Sequence, residues 1–154
     1  MNHFLLSTLT VGLLLLLFAV GDSYASEREK TSAMRLGRMK AMSCAGCHGM
    51  DGKGIERNGK WVAPAYSESA ILRDDPEKLA LIILKGIRKE SEHYSGAMGG
   101  METVYDDRSL AAVMTWVRNQ YGGQDDHITA DQVAEWRKKF SDHQGPVALG
   151  EITE

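Results

Sequence analysis

Two cysteines and a histidine within five consecutive residues, Cys44-Ala45-Gly46-Cys47-His48, constrain this chain more than any other feature. They are its only two cysteines. Two thiols three residues apart, with an imidazole directly after the second, form the pattern of covalent haem attachment. The thiols are close enough to add to the two vinyl groups along one porphyrin edge, and the histidine is placed to bind the iron on one face. A redox dithiol of this spacing belongs in a βαβ setting, which the chain lacks. A structural zinc site wants four ligands, and no second cysteine pair supplies them. A chain built on this motif has to fold around a flat, apolar group held permanently, a device suited to moving electrons.

At 154 residues there is room for one domain with a leader and a tail. Residues 1–25 read as a signal peptide. Phe4 to Val20 is nearly all apolar, Leu13 to Leu17 is a pure leucine run, and Ser23-Tyr24-Ala25 offers small residues for cleavage after Ala25. No Lys or Arg stands in that segment, and its apolar run falls just short of the ~20 residues of a spanning helix. An uncleaved membrane anchor is therefore the alternative. Residues 26–123 form the expected domain and 124–154 a C-terminal extension. Removing residues 1–25 takes away only Asp22 among the charges, moving the formal balance from −3 to −2. That excludes a typical nucleic-acid binder, which is markedly basic, and leaves no single-sign field to name a partner. Export agrees with a pair of cysteines committed to thioether bonds.

Local patterns predict helices and no strands, so the fold class is all-α. Ser26 to Lys30 is charged and expected to fray. A first helix is predicted over 31–42, with Met34, Leu36 and Met39 inward and Gly37 between them. Gly49 to Lys60 reads as loop, because Asp51-Gly52, Lys53-Gly54 and Asn58-Gly59 are turn-forming pairs. Trp61 to Ser69 reads as irregular around Pro64. A second helix is capped by Asp75, has Pro76 at its first position, buries Leu79, Ile82 and Ile83, and ends at Gly86. A mobile, glycine-rich stretch follows at Ser95 to Gly100. The third helix starts at Asp106 or Asp107, buries Leu110, Val113, Met114, Trp116 and Val117, and stops at Gly122-Gly123. Thr129-Ala130-Asp131-Gln132 is a capping-box pattern opening a tail helix with Val133 and Trp136 inward. Few large aliphatics remain for a core, so a buried haem has to supply interior, and the haem-free chain is expected to fold poorly.

His48 is the expected first axial ligand, whereas His93, His127 and His143 have no such neighbours. For the opposite face there are eight methionines. Met98 and Met101 stand out, since they sit in Gly96-Ala97-Met98-Gly99-Gly100-Met101, a segment without helical period. A thioether opposite histidine favours the ferrous state and raises the potential. His93 would instead give a bis-imidazole haem of lower potential. Spacing alone does not choose among the three.

Most of the mature sequence resembles class I, monohaem, cytochromes c. The carrying residues are Cys44-Ala45-Gly46-Cys47-His48-Gly49 with Asp51-Gly52-Lys53-Gly54, then Pro64-Ala65-Tyr66, then Tyr94 to Met101, then Asp106 to Asn119. The resemblance implies three core helices around one covalently attached haem c. It implies that the Pro64 carbonyl accepts the Nδ1–H of His48, and it selects Met98 as the second iron ligand. Such a backbone bond fixes the imidazole tautomer and raises its basicity. It also places the last helix across the first, with Gly37 against Trp116. Gly99-Gly100 stands where the family has two prolines, which implies a softer loop at the ligand. Thr129 to Phe140, Gly145-Pro146 and Glu151-Ile152 are similar to the C-terminal extension of cytochromes c associated with periplasmic sugar or alcohol dehydrogenases, an element that either docks a partner or packs on the domain.

These readings converge on an exported, periplasmic one-electron carrier that makes no bonds itself. A dehydrogenase or membrane complex would be its donor and an oxidase or reductase its acceptor. The membrane is involved directly only if the leader stays uncleaved. The alternative is a peroxidase-like haem enzyme or gas sensor with an open or switchable sixth position. That would need a polar distal pocket, for which His93 and Arg88 are the nearest pair in sequence.

Overall fold

The computed structural model describes residues 24–89 and 92–153. The expected signal peptide lies almost wholly outside the described residues. Among those residues no helix is long and apolar enough to cross a membrane. Helical backbone covers 24–40, including 26–30, which the sequence left frayed. The chain divides into two units after Ser32. In the first unit Thr31 Oγ1 donates to the Glu27 carbonyl at 2.9 Å, one turn back.

In the second unit α1 (33–40) leads into a 3₁₀ turn, Ala41–Cys44, and a one-turn helix α2, Ala45–His48. After β1 (Ile55–Arg57) and β2 (Lys60–Ala63) come α3 (Ala70–Asp74) and α4 (Pro76–Lys85). Two-residue strands β3 (Gly86–Ile87) and β4 (Met98–Gly99) precede α5 (Asp107–Tyr121), α6 (Ala130–Lys139) and α7 (Leu149–Thr153).

The long helices start where their caps dictate. Asp75 Oδ1 accepts from Lys78 N–H at 2.9 Å, and Pro76 fills the position whose N–H would be unpaired anyway. Asp106 Oδ1 accepts from Ser109 N–H at 2.7 Å. At α6 the capping box closes both ways: Thr129 Oγ1 accepts from Gln132 N–H at 3.3 Å, and Gln132 Oε1 accepts from Thr129 N–H at 2.9 Å. Leu79, Ile83 and Leu84 of α4 then pack with Leu110, Val113, Met114 and Val117 of α5 in the main core. Val133 of α6 and Ile128 join the same core. Thr115, fully buried, accepts Ile128 N–H at 3.0 Å and so ties the extension to α5.

Gly37 decides how α1 meets α5. A Cβ there would stand 2.0 Å from the Ala112 carbonyl oxygen and 2.7 Å from Trp116 Cβ. Only a residue without a side chain permits this backbone approach. The buried seam therefore runs from Gly37 of α1 to Ala41 at the head of the 3₁₀ turn, four residues on. Met39, expected inward, falls off that seam and is 63 % exposed.

The mostly helical fold carries small β elements that the sequence reading left as loop. Asn58 and Gly59 both have positive φ, 54° and 74°. That is the two-residue hairpin turn, and it closes β1 on β2 antiparallel, with Arg57 opposite Lys60. Strands this short bury one or two side chains, so no alternation marks them. The second ladder pairs Gly86 with Gly99 and Ile87 with Met98, also antiparallel. The segment 61–69 is equally less irregular than expected, holding β2 and a 3₁₀ turn, Tyr66–Glu68.

Candidate functional site

Cys44 ends the 3₁₀ turn and Cys47 lies on α2, so both thiols stand on consecutive turns of one short helical run. Both are free, Cys44 half-buried and Cys47 exposed. Cys44 Sγ lies 4.0 Å from Ser43 Oγ and 4.0 Å from the Tyr105 hydroxyl. Ser43 Oγ and the Tyr105 hydroxyl are themselves hydrogen-bonded, and Tyr105 donates to the Lys40 carbonyl at 3.0 Å. The first thiol is thus held in a fixed frame, and the second is exposed.

His48 follows on the same turn. Its Nδ1 stands 3.3 Å from the carbonyl oxygen of Pro64. A carbonyl only accepts, so Nδ1 carries the proton in this contact and the Nε2 lone pair is left for a metal. The ring stacks on Tyr66, with centroids 4.4 Å apart and planes 15° from parallel. Tyr66 leans on Tyr121 at 5.1 Å, and Tyr121 meets Trp116 edge-on at 5.4 Å. Burial lowers the His48 pKa, and the Pro64 bond offsets this only in part. The imidazole is accordingly held neutral, the form that ligates. Burial, with the Cys44 thiol alongside, pushes the Tyr66 hydroxyl well above its usual value, so that phenol stays protonated.

The backbone around His48 is fixed from the loop side. Gly54 N–H donates to the His48 carbonyl at 2.8 Å, and Tyr66 N–H to the Gly52 carbonyl at 2.8 Å. The loop therefore brings Pro64 and Tyr66 back over the histidine. Pro64 reaches His48, and Cys44 and Cys47 stand on the same short helical run as that histidine. Tyr66, Tyr105 and Ser43 were not singled out as site residues. The spacing of Tyr66, two after Pro64, was the only local sign of it.

Met98 sits on a different element, β4, and is partly buried against the main core that Tyr66 also lines. Met101 packs there too, while its N–H donates to the Ile83 carbonyl at 2.8 Å. The stretch expected to be mobile is thus pinned at Met98 by β3 and at Met101 by α4. Gly100 has a steric reason: a Cβ there would stand 2.5 Å from the Leu84 carbonyl oxygen. Gly99 faces open space. His93 is exposed, lies edge-on to Tyr94 at 5.1 Å, and gives its carbonyl to Trp61 N–H at 3.1 Å. Arg88 is paired with Glu151 at 3.0 Å. Among the described residues no three His, Cys, Asp or Glu gather as a metal-holding group. Two thiols and one imidazole on a single short helical run fit covalent haem attachment and not a zinc cage.

Fold and site together define a small helical domain built to hold a haem covalently. The family model for cytochrome c matches residues 38–120, more than half of the chain, and the protein belongs to that family. Comparison with curated proteins gives no match. Membership carries a covalently attached haem c, a role in electron transport and redox proteins as partners.

Proposed function

We propose that this cytochrome c is an exported monohaem carrier that moves single electrons from a periplasmic dehydrogenase or membrane complex to an oxidase or reductase. Residues 1–25 serve as the signal peptide, 26–123 as the haem domain and 124–154 as the extension. Cys44 and Cys47 hold the haem by thioethers, His48 and Met98 are the axial ligands, and Pro64 orients His48. When bound, the haem supplies one reversible electron at its iron. The protein's part is to keep that site ready and dry. The Pro64 carbonyl holds the His48 proton on Nδ1, and Tyr66 covers one imidazole face. The Tyr66–Tyr121–Trp116 chain of rings extends that apolar cover. Nothing here has to move for an electron to pass, which keeps reorganisation small.

The observation that carries the reading is the His48–Pro64 contact beside two free thiols. The peroxidase-like alternative is disfavoured by the engagement of Arg88 with Glu151. The similarity of the tail to cytochromes c associated with sugar or alcohol dehydrogenases supports a dehydrogenase as donor. Denaturing electrophoresis with haem staining tests the attachment. Colour should stay with the chain and be lost when Cys44 and Cys47 are both replaced. Haem that leaves the wild-type chain, or stays on the double variant, defeats the assignment. A potentiometric titration should give one reversible one-electron step.

A further inference from the structure

The strand that carries Met98 is two residues long, and a two-stranded ladder of this size is marginal in water. Its partner β3 is bonded on the opposite edge by the C-terminal extension. Val147 N–H donates to the Gly86 carbonyl at 3.0 Å, and Arg88 N–H donates to the Val147 carbonyl at 3.0 Å. Ile87 thus lies between Met98 on one side and Val147 on the other. The side chains follow the backbone. Val147 and Ile152, each 1 % exposed, bury against Ile82 in a second small core, and Met98 and Ile87 pack on it. The Arg88–Glu151 ion pair closes the same segment from outside.

The geometry points to residues 147–152 as a brace that positions Met98 through Ile87. This rests on the reading of Met98 as an iron ligand. Without the brace, Met98 would depend on a two-residue strand whose second residue is Gly99 and which Gly100 follows, and glycine carries the largest conformational freedom of any residue. With it, the ligand strand becomes the edge of three bonded segments over an apolar floor. Val147 and Ile152 are positioning residues, since neither needs to touch the haem. The extension then has a task inside its own domain, independent of any docking role.

The test uses the full haem-bearing protein with two variants. Val147→Pro removes the N–H bonded to Gly86, and Ile152→Ala removes only buried contact. Two readouts are taken: amide hydrogen exchange at Met98 and Gly99, and carbon monoxide binding to the reduced protein, which requires Met98 to leave the iron. Each variant should raise both rates about tenfold or more, while exchange at Leu110 and Met114 in α5 stays unchanged. Should Val147→Pro fail to fold, Ile152→Ala carries the comparison alone. Unchanged exchange at 98–99, or an equal rise in α5, overturns the brace. Faster exchange with an unchanged carbon monoxide rate overturns it as a ligand-positioning device. Met98→Ala separates the underlying reading: if carbon monoxide binds it no faster than wild type, Met98 is not the ligand, whatever the exchange data say.

Discussion

The imidazole of His48 lies between two different supports from one loop, the carbonyl oxygen of Pro64 at 3.3 Å and the ring of Tyr66 stacked at 4.4 Å. One is a backbone atom and survives substitution; the other is a side chain and does not. Pro64→Ala keeps the acceptor and should cost under about 1 kcal/mol, chiefly through the freer unfolded chain. Tyr66→Ala removes a large, partly buried ring and should cost about 3 kcal/mol, with a shift in potential as water reaches His48. Denaturant unfolding and potentiometry on both variants check this ordering. Equal effects from the two would contradict it.

At the α1–α5 crossing the least tolerant residue is Gly37. An added methyl would stand 2.0 Å from the Ala112 carbonyl oxygen, and backbone cannot swing aside as a side chain can. Gly37→Ala should therefore separate the helices and lower stability by about 1–3 kcal/mol or more. Thermal unfolding of the haem-bearing protein reads this directly. An unchanged midpoint would mean that the helices do not cross there.

The paired glycines after Met98 should behave differently from each other. No protein atom lies within 4 Å of a Cβ added at Gly99, so Gly99→Ala is expected to cost less than Gly100→Ala. Gly100→Ala drives a Cβ to 2.5 Å from the Leu84 carbonyl oxygen and should cost about 1–3 kcal/mol, loosening Met98 with it. Unfolding curves and carbon monoxide binding rates for the two variants separate a steric requirement from simple softness.

Acid should act partly through Asp106. Its carboxylate accepts from the Ser109 side chain and backbone N–H, which holds its pKa below the ordinary 3.8. Between the two values the unfolded chain binds more protons than the folded one, so stability rises with pH there. The contribution is present above 3.8 and is lost as pH falls through the lowered folded value. Asp106→Ala should cost about 1 kcal/mol at neutral pH and flatten the acid limb of the stability profile. Urea unfolding from pH 5 to pH 2 measures both.

What was legible in the sequence depended on how local its cause was. The caps at Asp75, Asp106 and Thr129 were readable because each side chain bonds a backbone N–H three residues on. The attachment motif was readable because its chemistry is contiguous. Asn58-Gly59 was recognised as a turn, but its strands bury too little to show alternation. Gly100 looked like softness because the Leu84 carbonyl that excludes a side chain is distant in sequence. The brace was invisible for the same reason. Val147 opens a three-residue apolar run and Ile152 follows five positions on, a pattern without a clear period, and only the folded chain packs them with Ile87 and Met98. Met39 was placed inward by helical period alone, whereas the close approach at Gly37 turned the buried seam away from it.

In the proposed function Met98 binds the iron opposite His48, and the long-wavelength charge-transfer band of ferric iron bound to methionine sulfur tests this most directly. The oxidised protein at neutral pH should show the band, Met98→Ala should lack it, and Met101→Ala should keep it. A wild-type spectrum without the band, or a Met98→Ala spectrum that retains it, would contradict the account.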